Sequence, residues 1–430
     1  MATRHDVLII GGGIAGAKAA IEAKISEPSA SVAMLSDESA TYSRTAMTSV
    51  ILGDVRSLNS VTVYPLGYLR SLGVKFLGGY EASSVDRNNQ VVQAKTSSAS
   101  SVLRVWYKRL IIATGSVPGL PSIEGSQLPG VFTVKWFDET LSLSRYLIPG
   151  MNAFVVGAGF VGLKTAEALV KRGVRVTMAV RSRILREVIE PIFSLHLKKW
   201  IEQRGVKTLT GVSPTAVGGK RRVEHVELRD EKVPASLVVF ATGMVPNIDV
   251  ARKAGVTIGR TGAIKVDRRM QTSIPEIYAA GDCVETSDIV GGKSVYRPLG
   301  SLAARTGEVA GSNAAGIGKI FPGSLRRQYD DVFGVRIIST GLSSEEASQF
   351  GISAEALDVE VIDSKHDLLS TRMPLDAQMK VIREKGTDVI LGWQVVGHSR
   401  VGARYSLCLD ELIRNRRGVG DLQELGLRVL

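Results

Sequence analysis

Two stretches decide the fold: Asp6-Val7-Leu8-Ile9-Ile10-Gly11-Gly12-Gly13-Ile14-Ala15-Gly16, and Ala153-Phe154-Val155-Val156-Gly157-Ala158-Gly159-Phe160-Val161-Gly162. Each is a short apolar run, read as a buried strand, followed by GxGxxG and then a helical pattern. In that context each glycine has its own task. Gly11 permits the tight turn, Gly13 lets the backbone approach a pyrophosphate, and Gly16 lets helix and strand pack closely. The unpaired N–H groups and the positive dipole end of the helix stabilise phosphate. Gly157, Gly159 and Gly162 repeat the unit, so two such turns in one chain imply two bound dinucleotides.

The strand-loop-helix-strand order of residues 6–36 recurs over 153–180, a duplicated architectural unit. The first unit ends at Ser36-Asp37-Glu38, where an acid is expected to hold a ribose; Glu38 is favoured, with Asp37 as the alternative. The second ends at Val180-Arg181-Ser182-Arg183. Two arginines there suit a 2′-phosphate, because guanidinium pairs with phosphate through charge-assisted hydrogen bonds. NADPH is therefore favoured over NADH. The polar stretch Lys95-Thr96-Ser97-Ser98-Ala99-Ser100-Ser101 reads as an exposed hairpin tip, and the Pro/Gly-rich residues 117–130 read as a linker. From about Ser324, alternating strands and the helix Tyr405-Ser406-Leu407-Cys408-Leu409-Asp410-Glu411-Leu412-Ile413-Arg414-Asn415 suggest an α+β domain.

The 430 residues allow two or three domains with sizeable cores, and 44% apolar with 22% charged residues is ordinary for a globular protein. No apolar run has the roughly 18–20 residues of a membrane span, and the first strand starts too near Met1 for a removable leader. A cytoplasmic protein is expected. A formal net charge of +12 suits an anionic nucleotide or an acidic carrier protein, or simply a solvated basic surface. Neither a metal site nor a nucleic-acid partner is expected.

These residues, in this order, resemble the two-dinucleotide-binding-domain flavoproteins of the pyridine nucleotide-disulfide oxidoreductase family. Four further motifs carry the resemblance over nearly the whole chain: Ala113-Thr114-Gly115; Ala241-Thr242-Gly243 with Pro246-Asn247; Ile277-Tyr278-Ala279-Ala280-Gly281-Asp282; and Gly341-Leu342-Ser343-Ser344-Glu345-Glu346-Ala347. The resemblance implies an α/β fold with Rossmann-like FAD- and NAD(P)-binding domains and an α+β C-terminal dimerisation domain, hence a homodimer. The expected divisions are 1–118 and 242–322 for FAD, 119–241 for NAD(P)H and 323–430 for the interface. By resemblance, Asp282 contacts the flavin's ribityl and phosphate region. Arg44, in Tyr42-Ser43-Arg44, neighbours the FAD phosphates or adenosine. Ala82, Ala113, Thr114, Gly115, Gly243 and Gly281 belong to the cofactor walls. The backbone of Leu299 to Leu302, in Arg297-Pro298-Leu299-Gly300-Ser301-Leu302-Ala303, lies by the flavin's pyrimidine end, where a helix N-terminus favours negative charge.

These segments look most like the coenzyme A-disulfide reductase and NADH oxidase branch, with similar segments in rubredoxin and ferredoxin reductases. Two departures matter. Thiol-based relatives carry a redox cysteine immediately after Tyr-Ser-Arg; this chain has Thr45, whose hydroxyl forms neither a mixed disulfide nor a sulfenic acid. Cys283 and Cys408 are expected to be packed small residues, and the C-terminal His-Pro segment of larger disulfide reductases is missing. The second departure is Lys164, where relatives have a glutamate close to nicotinamide and flavin. It is read as a catalytic cation beside the flavin, or else as a solvated helix residue. The expected reaction is hydride transfer from NAD(P)H to FAD, with electrons leaving without a protein thiol. The acceptor is an iron–sulfur or rubredoxin-like carrier, or oxygen, quinone or dye; a non-catalytic NAD(P)H sensor is the remaining alternative.

Overall fold

The computed structural model describes residues 3–96, 102–361, 377–397 and 401–430; most of the expected serine-rich tip lies outside them. Six strands, β1 (Thr3–Ile10), β2 (Val32–Ser36), β3 (Val74–Gly78), β4 (Glu81–Asp86), β5 (Val91–Lys95) and β6 (Val102–Ile112), form one sheet in the order β3-β2-β1-β6-β5-β4. β3, β2, β1 and β6 run parallel, and all five residues of β2 are buried. Such burial on both faces is what a continuous apolar strand without alternation requires.

The Ala-rich helix α1 (Ile14–Ser26) follows β1, and the many alanines have a packing cause. A much later helix, residues 300–314, crosses it so closely that a Cβ on Gly307 or Gly311 would sit 2.3 or 2.1 Å from the Ala15 or Ala19 carbonyl oxygen. Only small residues on both faces permit that approach.

The second sheet collects β7 (Val131–Thr133), β8 (Asn152–Val156), β9 (Arg175–Val180), β10 (Val206–Thr210) and β11 (Leu237–Phe240), all parallel, in the order β7-β11-β8-β9-β10. The helix α2 (Phe160–Lys171) packs on it through Leu163, Ala166 and Leu169. The chain then returns to the first sheet, where β12 (Ile277–Ala279) pairs with the end of β6. The two crossings between these units lie side by side: residues 116–118 pair antiparallel with 244–246. The expected linker is therefore half of a two-stranded strap.

The C-terminal residues form an antiparallel sheet of β13 (Arg327–Val332), β14 (Val335–Gly341), β15 (Ala354–Val361), β16 (Gln378–Glu384), β17 (Ile390–Gly397) and β18 (Leu427–Val429), ordered β13-β14-β17-β16-β15-β18. The helix α3 (Val401–Arg414) covers it with Tyr405, Leu409 and Ile413. Trp393 is fully buried there and its Nε1 donates to Asp410 at 3.1 Å. Mixed α/β units followed by an antiparallel sheet domain match the expected fold class. Among the described residues no helix is long and apolar enough to cross a membrane.

Candidate functional site

Both glycine turns have the same construction. Gly11 has φ +121°, and a Cβ on it would lie 2.1 Å from the Ala113 carbonyl oxygen; a Cβ on Gly16 would lie 2.0 Å from that of Gly11. In the second turn a Cβ on Gly157, at φ +104°, would lie 2.3 Å from the Ala241 carbonyl oxygen, and one on Gly162 would lie 2.1 Å from that of Gly157. Each Ala-Thr-Gly segment thus forms the wall against which its glycine turn closes. Gly13 and Gly159 differ: a Cβ on either meets nothing within 4 Å. Both cap their helices, and no side chain satisfies the N–H groups there. Open space in front of unspent donors fits a pyrophosphate in each turn. The strap is fastened beside both turns, with Thr114 Oγ1 donating to the Asn247 carbonyl at 2.6 Å and Thr242 to that of Gly119. Gly115 (φ +70°) and Gly243 (φ +104°) make the bends.

Around the first turn a polar cluster assembles from distant segments. Glu38, half-buried beyond β2, accepts hydrogen bonds from Arg44 and from the Tyr42 hydroxyl, while Asp37 is exposed. Ser36 Oγ accepts from the Glu38 N–H at 3.1 Å. Ala82, in β4, pairs with Ala94 and packs on the second face of the sheet. Asp282 follows β12 and accepts from Ser116 Oγ at 3.2 Å; Ser116 Oγ in turn accepts from the Lys135 ammonium at 2.6 Å. Burial pushes the Asp282 carboxyl up, opposed by Lys135, Ser116 and Arg44. Burial also pushes Lys135 down to about 8, opposed by Asp282. Sequence reasoning missed Lys135. The signal was a single cation inside the apolar run Val131-Phe132-Thr133-Val134-Lys135-Trp136-Phe137, which a surface residue would not need.

Leu299 caps the helix α4 (Gly300–Ala314), with no side chain on its N-terminal donors, and Leu302 is half-buried in its first turn. Thr306, one turn further, accepts from the Gly281 N–H at 3.0 Å, tying this helix to the loop that carries Asp282. Before it, Arg297 is held by Asp288 and, at 2.7 Å, by Glu346; Arg326 adds a contact to Glu346 at 3.6 Å. This network is almost wholly buried.

At the second turn Arg181 is exposed, with no ion pair among the described residues, and is free to meet a phosphate. Arg183 corrects the sequence reading. Its guanidinium donates to the carbonyls of Ile189 (2.5 Å) and Arg186 (2.7 Å), to Ser194 Oγ (2.9 Å) and to Glu345 (2.7 Å). It turns inward because the C-terminal domain supplies an acid beneath the loop. Lys164 is corrected likewise. Its ammonium donates to Asp330 at 2.7 Å and to the Asp331 carbonyl at 3.3 Å, both on β13, so its charge is spent at a domain junction.

Thr45 is exposed beside Ser43, the two hydroxyls 2.8 Å apart. Cys283 is packed, as expected, and burial pushes its thiol up to about 11. Cys408 departs from expectation: it is exposed, because the buried stripe of α3 runs through Tyr405, Leu409 and Ile413 and leaves Leu407 and Cys408 outward.

The family model of pyridine nucleotide-disulphide oxidoreductase matches residues 5–303. An NADH oxidase of Methanocaldococcus jannaschii is 31% identical over 404 residues, covering 92% of this chain and 88% of the relative. A CoA-dependent NAD(P)H sulfur oxidoreductase of Pyrococcus abyssi is 33% identical, covering 92% and 87%. The solved structure of an NAD-dependent persulfide reductase from A. fulgidus superposes with a TM-score of 0.89 at 30% identity, covering 97% of this chain and 78% of that one. With both dinucleotide turns in place and the likeness running through the C-terminal sheet, the chain belongs to the pyridine nucleotide-disulphide oxidoreductase family and is an NAD(P)H-dependent flavin oxidoreductase.

Proposed function

We propose that the protein takes hydride preferentially from NADPH and delivers electrons from FAD to an iron–sulfur or rubredoxin-like carrier without using a protein thiol. The observation that carries this is the hydroxyl of Thr45 where a redox cysteine would stand, with Cys283 sealed in the core and its thiol held protonated. When bound, FAD supplies two-electron acceptance and one-electron release. Gly11, Gly13, Gly16, Glu38, Arg44, Lys135 and Asp282 would hold it, and Gly157, Gly159, Gly162 and Arg181 would hold the nucleotide. The FAD-binding parts are 1–118 and 242–322, the nucleotide domain is 119–241, and residues 323–430 are the homodimer interface. A net charge of +12 favours encounter with an acidic carrier. Oxygen is the second reading, supported by the name of the M. jannaschii relative.

Anaerobic mixing with NADPH, followed by candidate acceptors, separates these readings. Fast bleaching and rapid reoxidation only by an iron–sulfur protein is the expected result; peroxide formed in air at a comparable rate would replace it with the oxidase. Substituting Arg181 by serine is expected to raise the Kd of NADPH by about tenfold or more, the worth of a charge-assisted contact, and to leave that of NADH little changed.

Lys135 gives a pH prediction. Its amine is lowered to about 8 by burial and would be held protonated by a bound anion, so FAD binding takes up a proton wherever the free amine is neutral. FAD affinity for the apoprotein is therefore expected to be flat below the apo pKa and to fall as pH rises through it, by at most about tenfold per unit. Fluorescence titration across that range checks this; Lys135→Met should remove the slope.

A further inference from the structure

We infer that the C-terminal domain sets nucleotide selectivity, with Arg183 and Glu345 acting as positioning residues for the loop that carries Arg181. The inference rests on the reading that Arg181 meets a 2′-phosphate. Residues 181–190 connect β9 to the helix Pro191–Glu202 without regular structure of their own. Leu185, buried in this loop, has φ +49°, a conformation rare for a side chain of its kind. Such a backbone persists only when its surroundings over-determine it, and here they come from two directions. On one side the Leu185 N–H donates to the Ala158 carbonyl at 2.9 Å, joining the loop to the phosphate turn. On the other, the C-terminal domain grips the loop at successive points. Ser339 Oγ donates to the Val188 carbonyl at 2.6 Å. The Glu190 N–H donates to Gln394 at 2.7 Å, and the Glu190 carboxylate accepts from the Ser344 N–H at 2.9 Å and its hydroxyl at 2.5 Å.

Arg183 is the hub nearest Arg181. Its four contacts gather the two ends of the loop, the following helix and Glu345 of the other domain. Glu345 is 41% exposed, so the pair adds little to global stability. What it does is fix where the loop stands, and a phosphate contact tolerates little displacement.

The test is anaerobic flavin reduction by NADPH and by NADH in Arg183→Gln, Arg183→Lys, Glu345→Gln and Arg181→Ser. Arg183→Gln is expected to raise the NADPH Kd about tenfold, with the NADH Kd moving much less. Glu345→Gln should act in the same direction with a smaller effect and a melting temperature within about 2 °C of the parent. Arg183→Lys, which keeps the charge but not the four-way fork, should recover part of the loss. The limiting reduction rate at saturation should stay near the parent's. If Arg181→Ser lowers the NADPH preference while the Arg183 and Glu345 variants leave it unmoved, or shift both nucleotides equally, the inference is overturned and the phosphate reading survives. If Arg181→Ser leaves the preference unmoved, both are overturned.

Discussion

Replacing Gly13 by valine is expected to give a folded protein that carries no flavin, whereas the same change at Gly159 is expected to give a yellow protein that NADPH does not bleach. Neither position demands glycine for its backbone: φ and ψ are −75° and −174° at Gly13 and −77° and 178° at Gly159, extended values open to any residue. The first added carbon would not strike protein either, since a Cβ at each position meets nothing within 4 Å. The added carbons would occupy the space that a pyrophosphate needs against the helix donors. Loss of that cradle should weaken binding by at least about a thousandfold, roughly 4 kcal/mol. Absorbance at the flavin band and stopped-flow reduction report the two outcomes. Gly11→Ala is the contrast: with φ +121° and a carbonyl oxygen 2.1 Å from the new Cβ, it should lower stability before binding is tested. A Gly13→Val protein that kept its flavin would remove the pyrophosphate from this turn.

Asp288→Ala should destabilise the protein by about 3–5 kcal/mol, the usual cost of breaking a buried ion pair, because Glu346 alone is left to hold Arg297 and two N–H groups lose their acceptor. Asp288 and Arg297 have side chains only 0% and 7% exposed. Asp288 also accepts from the Val290 and Gly291 N–H groups at 2.9 and 2.6 Å. The same cluster reaches Glu346 at the start of the helix Ser344–Gln349 and, through Arg326, the carbonyls of Glu187 and Val188. It therefore joins the segment before α4, the C-terminal sheet domain and the loop of residues 181–190. The double variant Asp288→Ala with Arg297→Met removes the half-paired guanidinium together with its partner, so it should lose less than the sum of the two single changes. Urea unfolding of the four proteins measures this cycle; additivity would show that the pair does not act as one unit.

Much of the site could be read in the sequence because its causes are local. A glycine that must turn at positive φ, or lie under a carbonyl, is dictated by backbone geometry within a few residues, and both turns followed their strands at the expected places. The Ala-Thr-Gly walls and Asp282 could be placed for the same reason, each ending a buried strand. Thr45 needed no tertiary information, since whether a side chain can carry a thiolate is a matter of composition. Tertiary structure decided where the charges point. Lys164 turned toward Asp330, 166 residues away, and Arg183 toward Glu345, 162 residues away, while Lys135 turned inward to Ser116 and Asp282. A long cationic side chain has many rotamers of similar energy, and the partner that selects one is brought there by packing of a distant segment. Spacing along the chain fixes which face a residue occupies; only the fold determines what lies opposite.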